Sequence, residues 1–139
     1  MRTMIAGLMI GLALMVAGCM QSLSEIHSAA PREVGFYSAP YHELVVCAKE
    51  RAQTEEWNPG PAVVESIESV GSAKTRLYAS VYSSLVRTVL WEMTFTPEAA
   101  GSTVVEYRDQ WTADHLHAQA WALIARCAQQ TTSPAVTAR

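Results

Sequence analysis

The clearest periodic signal in the chain lies between residues 77 and 95. Val89, Trp91, Met93 and Phe95 alternate with Thr88, Leu90, Glu92 and Thr94, the period of two expected of a strand with one strongly buried face. Leu77, Ala79 and Val81 alternate with Tyr78, Ser80 and Tyr82 in the same way. Thr103 to Arg108, after the turn-forming run Pro97 to Gly101, predicts a further strand, and so does Val63 to Val70 ahead of Gly71-Ser72, although Val63 to Ile67 alternates imperfectly. On both sides of this region the spacing changes to three and four. Tyr41, Leu44, Val45, Ala48 and Ala52 share one helical face, and Pro40 or a neighbour begins that helix. The run Trp57-Asn58-Pro59-Gly60-Pro61 must stop it, because proline lacks the amide proton that a helix interior needs. Leu116, Ala120, Leu123, Ile124 and Cys127 predict a last helix, with Thr112 as its N-cap and Asp114 in its first turn. This order predicts an α+β two-layer domain: an antiparallel sheet of about four strands with the N-terminal and C-terminal helices packed on one face.

The first residues follow a different pattern. Arg2 precedes Met4 to Ala17, a stretch made only of apolar residues and glycine, and the run ends at Gly18-Cys19 before Gln21 and Ser22. That is the layout of a signal sequence, and it is shorter than the roughly 20 apolar residues a spanning helix requires. Val16-Ala17-Gly18-Cys19 resembles the lipobox of bacterial lipoproteins. The resemblance implies cleavage before Cys19, a diacylglycerol thioether on Cys19 and attachment to a membrane through that lipid. Met20, standing where an aspartate would be the usual signal for inner-membrane retention, implies the periplasmic face of the outer membrane. Two or three acyl chains, at about 0.8 kcal/mol per buried methylene, hold a protein on a bilayer far more firmly than one.

The expected organisation is therefore a removed signal peptide over 1–18, a lipidated N-terminus and flexible tether over 19–39, the α+β domain over 40–130, and a loose tail over 131–139. The tether assignment rests on a run of Ser, Ala, Gln, Glu and Pro without sustained periodicity. The alternative within it is a short helix from Ser24 to Ala30, capped by Ser24.

Export changes the reading of the cysteines. With Cys19 assigned to lipid, Cys47 and Cys127 remain, each on or beside the inward face of a predicted helix, in a compartment where thiols pair. A structural disulfide clipping the first helix to the last is the expected outcome; buried free thiols and a redox site are the alternatives, the latter without a Cys-x-x-Cys motif to support it.

Candidate chemistry is sparse. Asp114, His115 and His117 carry metal-binding side chains, but positions two apart on a helix point about 200° from each other, so no metal site is expected. The serines lack a Gly-x-Ser-x-Gly elbow and a Ser-x-x-Lys motif, and Gly60, Gly71 and Gly101 are separated turn residues rather than a phosphate-binding loop. Glu65, Glu68, Glu92, Glu106 and Asp109 read as residues of solvated strand faces, among which a carboxylate acid/base pair would have to be hidden. Trp91 alternates with core positions and is expected inside. Trp57, beside a turn, is the candidate for an exposed contact with a partner, the alternative being that it caps the end of the core.

The chain has 10 Lys+Arg against 13 Asp+Glu, a formal charge of -3, with no basic cluster, which argues against nucleic acid as a partner. No catalytic residue and no cofactor is expected. The expected function is a membrane-anchored periplasmic lipoprotein acting as a binding or envelope-assembly module for another envelope component. A carrier of small apolar ligands and a periplasmic enzyme with an unrecognised site are the alternatives.

Overall fold

The two strongly alternating runs form the middle of a single sheet. The computed structural model describes residues 23–57, 60–69, 71–99, 101–110 and 114–132. Cys19 with the signal stretch before it, Asn58-Pro59, Trp111, Thr112 and residues 133–139 lie outside the described residues. The elements run α1 (Leu23–Ser28), β1 (Glu33–Tyr37), α2 (Tyr41–Thr54), β2 (Val63–Ser69), β3 (Lys74–Ser83), β4 (Val86–Pro97), β5 (Thr103–Asp109) and α3 (Asp114–Thr132). The strand order is β1-β5-β4-β3-β2, and every neighbouring pair is antiparallel.

Alternation along β3 and β4 sends Leu77, Ala79, Trp91, Met93 and Phe95 to one face, where all five are buried. α2 and α3 lie side by side across that face, contributing Leu44, Ala48 and Ala52 from one and Leu116, Ala120, Leu123, Ile124 and Cys127 from the other. The alanines of α2 keep that helix close to its neighbours. A register shift between Ala79 and Ser80 gives β4 an extra residue, so Leu90 joins Trp91 in this core while Val89 turns to the opposite face. Pro40 occupies the N-cap position of α2 with φ −60° and ψ 133°, and its carbonyl accepts the Leu44 amide at 3.0 Å. Polar ties fix the helix laterally: Tyr41 Oη meets Thr75 Oγ1 at 2.6 Å, and Lys49 Nζ donates to Ser66 Oγ at 3.0 Å.

The α+β class and the two helices on one face are present, with five strands. The additional strand comes from residues expected to form a flexible tether. The 19–39 assignment is corrected accordingly: α1 and β1 belong to the domain, and the helical alternative from Ser24 nearly matches α1. β1 is held because the Arg32 amide donates to Tyr107 O at 2.8 Å and Glu33 to Tyr37 then pair with Tyr107 to Thr103. Gly35 is required there, since a Cβ would sit 2.8 Å from Trp121 Cζ2 of α3. At the other end α3 extends through Thr132, past the expected start of the tail, with the Thr131 and Thr132 hydroxyls donating back to Ala128 O.

Candidate functional site

The most unusual chemistry lies on the sheet face away from α2 and α3. Glu92 alternates with Trp91 and Met93, so its side chain points to this outer face, yet it is wholly buried. Its cover is α1, whose Ile26 packs on Tyr78 and Val89, with Leu23 and Ile67 around them. The expectation of a solvated Glu92 is thus overturned, because the sheet has a roof on both sides at this point.

Burying a carboxylate is costly unless other groups replace the water it loses. His27 Nδ1 lies 2.8 Å from Glu92 Oε1, within hydrogen-bond distance. Thr94 Oγ1 donates to the same oxygen at 3.3 Å. Arg108 Nη1 and Arg76 Nη1 stand 3.9 Å from Oε1 and Oε2, close enough to offset the charge and too far to hydrogen-bond. Glu92 Oε2 has no hydrogen-bond partner among the described residues.

Arg108 joins this group to the backbone of the N-terminal segment. Its Nε donates to Ala29 O at 2.9 Å just past α1, and its Nη2 donates to Glu106 Oε1 at 3.2 Å. With two arginines against Glu92 and Glu106, the charges balance. Beside the cluster a cleft of about 380 Å³ opens, lined by His27, Ser69, Lys74, Arg76, Thr94, Glu106 and Arg108. With Nδ1 engaged by Glu92, Nε2 is the ring nitrogen of His27 available to that cleft. A larger open groove of about 760 Å³ runs along α2, but the charges lining it, among them Glu43, Glu50 and Arg51, converge on no buried group.

The remaining predicted residues fall elsewhere. Cys47 and Cys127 are bonded, with Cα atoms 5.7 Å apart, joining α2 to α3. Trp57 is not an exposed contact: it is buried, its ring lies 5.1 Å from that of Trp91, and its Nε1 donates to Ala52 O at 2.8 Å. A carbonyl in the last turn of a helix lacks an intrahelical partner, and the indole supplies one while filling the edge of the core. Asp114 and His117 part company as their spacing implies. Asp114 pairs with Arg32, which also reaches Asp109 at 2.7 Å, whereas His117 packs over Tyr107 and Trp121 and places Nε2 2.5 Å from Glu33 Oε2. His115 is exposed. Burial pushes the Tyr107 phenol well above its usual range, reinforced by Asp109, and burial followed by Glu33 raises that of Tyr37.

Two exposed apolar groups complete the surface. Val34 and Phe36 of the edge strand β1 are 43% and 73% exposed on the outer face. Tyr82, Leu85 and Val86 stand out at the β3–β4 turn. Neither group was singled out in the sequence; the signal available was a Leu-Val pair at a hairpin tip and an apolar pair flanking Gly35. No helix among the described residues is long and apolar enough to cross a membrane. The chain matches no family model, and no curated protein is similar to it.

Proposed function

We propose that the chain is a lipid-anchored protein of the bacterial envelope whose domain binds a second envelope protein through the open edge of its sheet. The lipobox-like Val16-Ala17-Gly18-Cys19 supports the anchor. The observation that carries the binding role is the pair Val34 and Phe36, large apolar side chains exposed on a strand that has one strand neighbour among the described residues. An edge strand of this kind accepts an extended segment by main-chain hydrogen bonding, with side-chain contacts on alternate positions selecting the partner. Phe36 aligns with Val104 and, through it, with Thr96, ten residues along β4 from Val86. At about 3.3 Å per residue, that is roughly 33 Å from the β3–β4 turn.

A photoactivatable residue in place of Phe36, used in living cells, should give one discrete protein adduct, while the same residue in place of the exposed Glu50 on α2 should not. Equal patterns from both positions would sink the edge-binding role. The anchor is tested separately: Cys19→Ser should abolish incorporation of a labelled fatty acid, and equal labelling of both proteins would remove it.

The Glu92–His27 pair favours a second reading, general-base chemistry at the cleft, because a buried carboxylate orients the imidazole. Ester or phosphate-ester hydrolysis that disappears in His27→Gln would establish it.

A further inference from the structure

The β3–β4 turn combines two features that neither folding nor solubility explains. Ser83 pairs with Val86, leaving Ser84-Leu85 as a two-residue loop. Ser84 holds φ at 56°, in the region where hairpins ordinarily use glycine or asparagine. Leu85 beside it is fully exposed, with Tyr82 at 56% and Val86 at 45%. A single exposed leucine is unremarkable, but here large apolar side chains surround one strained tip, with Leu85 at its apex and Tyr82 and Val86 on opposite faces of the hairpin behind it.

The chain upstream indicates what covers that tip. Leu23, the first described residue, packs with Ile26, Tyr78 and Val89. Val89 lies three residues along β4 from Val86, about 10 Å at the strand rise. Cys19 precedes Leu23 by four residues, a reach of at most about 14 Å. An acyl chain on Cys19 therefore leaves the protein within reach of the bilayer surface that the turn can touch.

We propose that this turn is a membrane contact, with Leu85 and Val86 entering the lipid surface to which Cys19 is attached; the proposal rests on the lipid-anchor reading above. The residues behind the tip suit that position. Arg87 stacks over Tyr78 and Tyr82, with its guanidinium carbon 5.0 Å and 5.9 Å from the ring centroids, and its Nη2 pairs with Glu65 Oε2 at 2.5 Å. Amphipathic tyrosine and arginine side chains of this kind sit at the level of lipid headgroups while apolar ones go deeper. Because Arg87 is already paired, insertion is driven by apolar contact and depends little on anionic lipid.

The test uses the full chain in native membranes and in vesicles of phosphatidylethanolamine and phosphatidylcholine, with a photoactivatable diazirine residue replacing Leu85 or, as control, Glu50. Position 85 should yield adducts heavier by one phospholipid, position 50 none. With the probe moved to Tyr82, Leu85→Asp with Val86→Asp should cut phospholipid adducts at least about fivefold, since two charges oppose entry into the lipid surface. Both substituted positions are exposed, so the fold is spared. A polypeptide adduct at position 85, or no phospholipid adduct there in membrane-bound protein, overturns the membrane contact. The mass of the N-terminal peptide reports lipid on Cys19 independently, so failure of the anchor is distinguishable from failure of the turn.

Discussion

The two faces of the sheet are held by different physics, although β4 supplies the central residues of both. Trp91, Met93 and Phe95 face two long helices and a dense apolar core, where burial is cumulative and non-directional. Glu92 and Thr94, alternating with them, face the six-residue α1 and a small set of directional bonds. A helix this short has little stability of its own, so its position depends on Ile26 and on the bonds from His27 and Arg108. The helical face should therefore unfold with the whole domain, and α1 should open at a lower free energy.

The largest effect is expected on the helical face. Trp91→Ala removes the largest wholly buried side chain among the described residues and should cost about 3 to 5 kcal/mol in urea unfolding. A cost near that of an exposed substitution would mean that this face is not the principal core. The disulfide comes next: Cys47→Ser and Cys127→Ser should each lose about 2 to 5 kcal/mol, the two variants should agree, and the double variant should be no worse, because the same bond is lost in all three. Both residues becoming alkylated in denaturant without reductant would show that the bond is absent from the natural protein.

On the outer face, Glu92→Ala should cost about 1 to 3 kcal/mol, since it removes a buried acceptor and leaves its arginine neighbours less well balanced. Its distinguishing sign is local. Amide exchange should rise throughout α1 while α3 keeps its protection apart from the shift in global stability. Uniform acceleration in both helices would erase the distinction between the faces.

The smallest effect near neutrality, and a growing one in base, belongs to Tyr107. Its folded pKa is raised, so its contribution is intact below the unfolded value of about 10 and is lost as pH rises above it, where the unfolded chain ionises first. Tyr107→Phe should make the fall in stability above pH 10 shallower by up to about 1.4 kcal/mol per pH unit. An unchanged slope in urea titrations at pH 9, 10 and 11 would contradict the burial of that phenol.

Much of the helical face can be read directly from the residues. The strong alternation of β3 and β4, the stripes of α2 and α3, and two cysteines on helix faces together point to that layer and its clip. The outer face is less legible because its cues are inverted. β1 exposes Val34 and Phe36 while Glu33, Gly35 and Tyr37 turn toward α3, so an apolar-inward pattern cannot find it. Glu92 occupies a position that is solvated in a sheet covered on one face; its burial depends on α1, which lies 65 positions away at His27. Trp57 is ambiguous for a related reason: a tryptophan beside a turn suits an exposed contact as well as a cap on the end of the core, and only the fold shows its indole closing α2.

The Cys47–Cys127 bond also divides the chain mechanically. It closes a covalent ring around β2, β3, β4 and β5 and leaves α1, β1 and the start of α2 outside. Tension applied between the two ends of the molecule passes from Cys47 to Cys127 through the sulfurs rather than along the backbone of the four enclosed strands, and it reaches β5 only through its hydrogen bonds to β1. Only the stretch ahead of Cys47 and the last residues of α3 can pay out, on the order of 80 Å for Leu23 to Val46 fully drawn. A steady pull at the N-terminus would peel α1 and β1 away as a spring of fixed length, with the rest of the domain folded at its end.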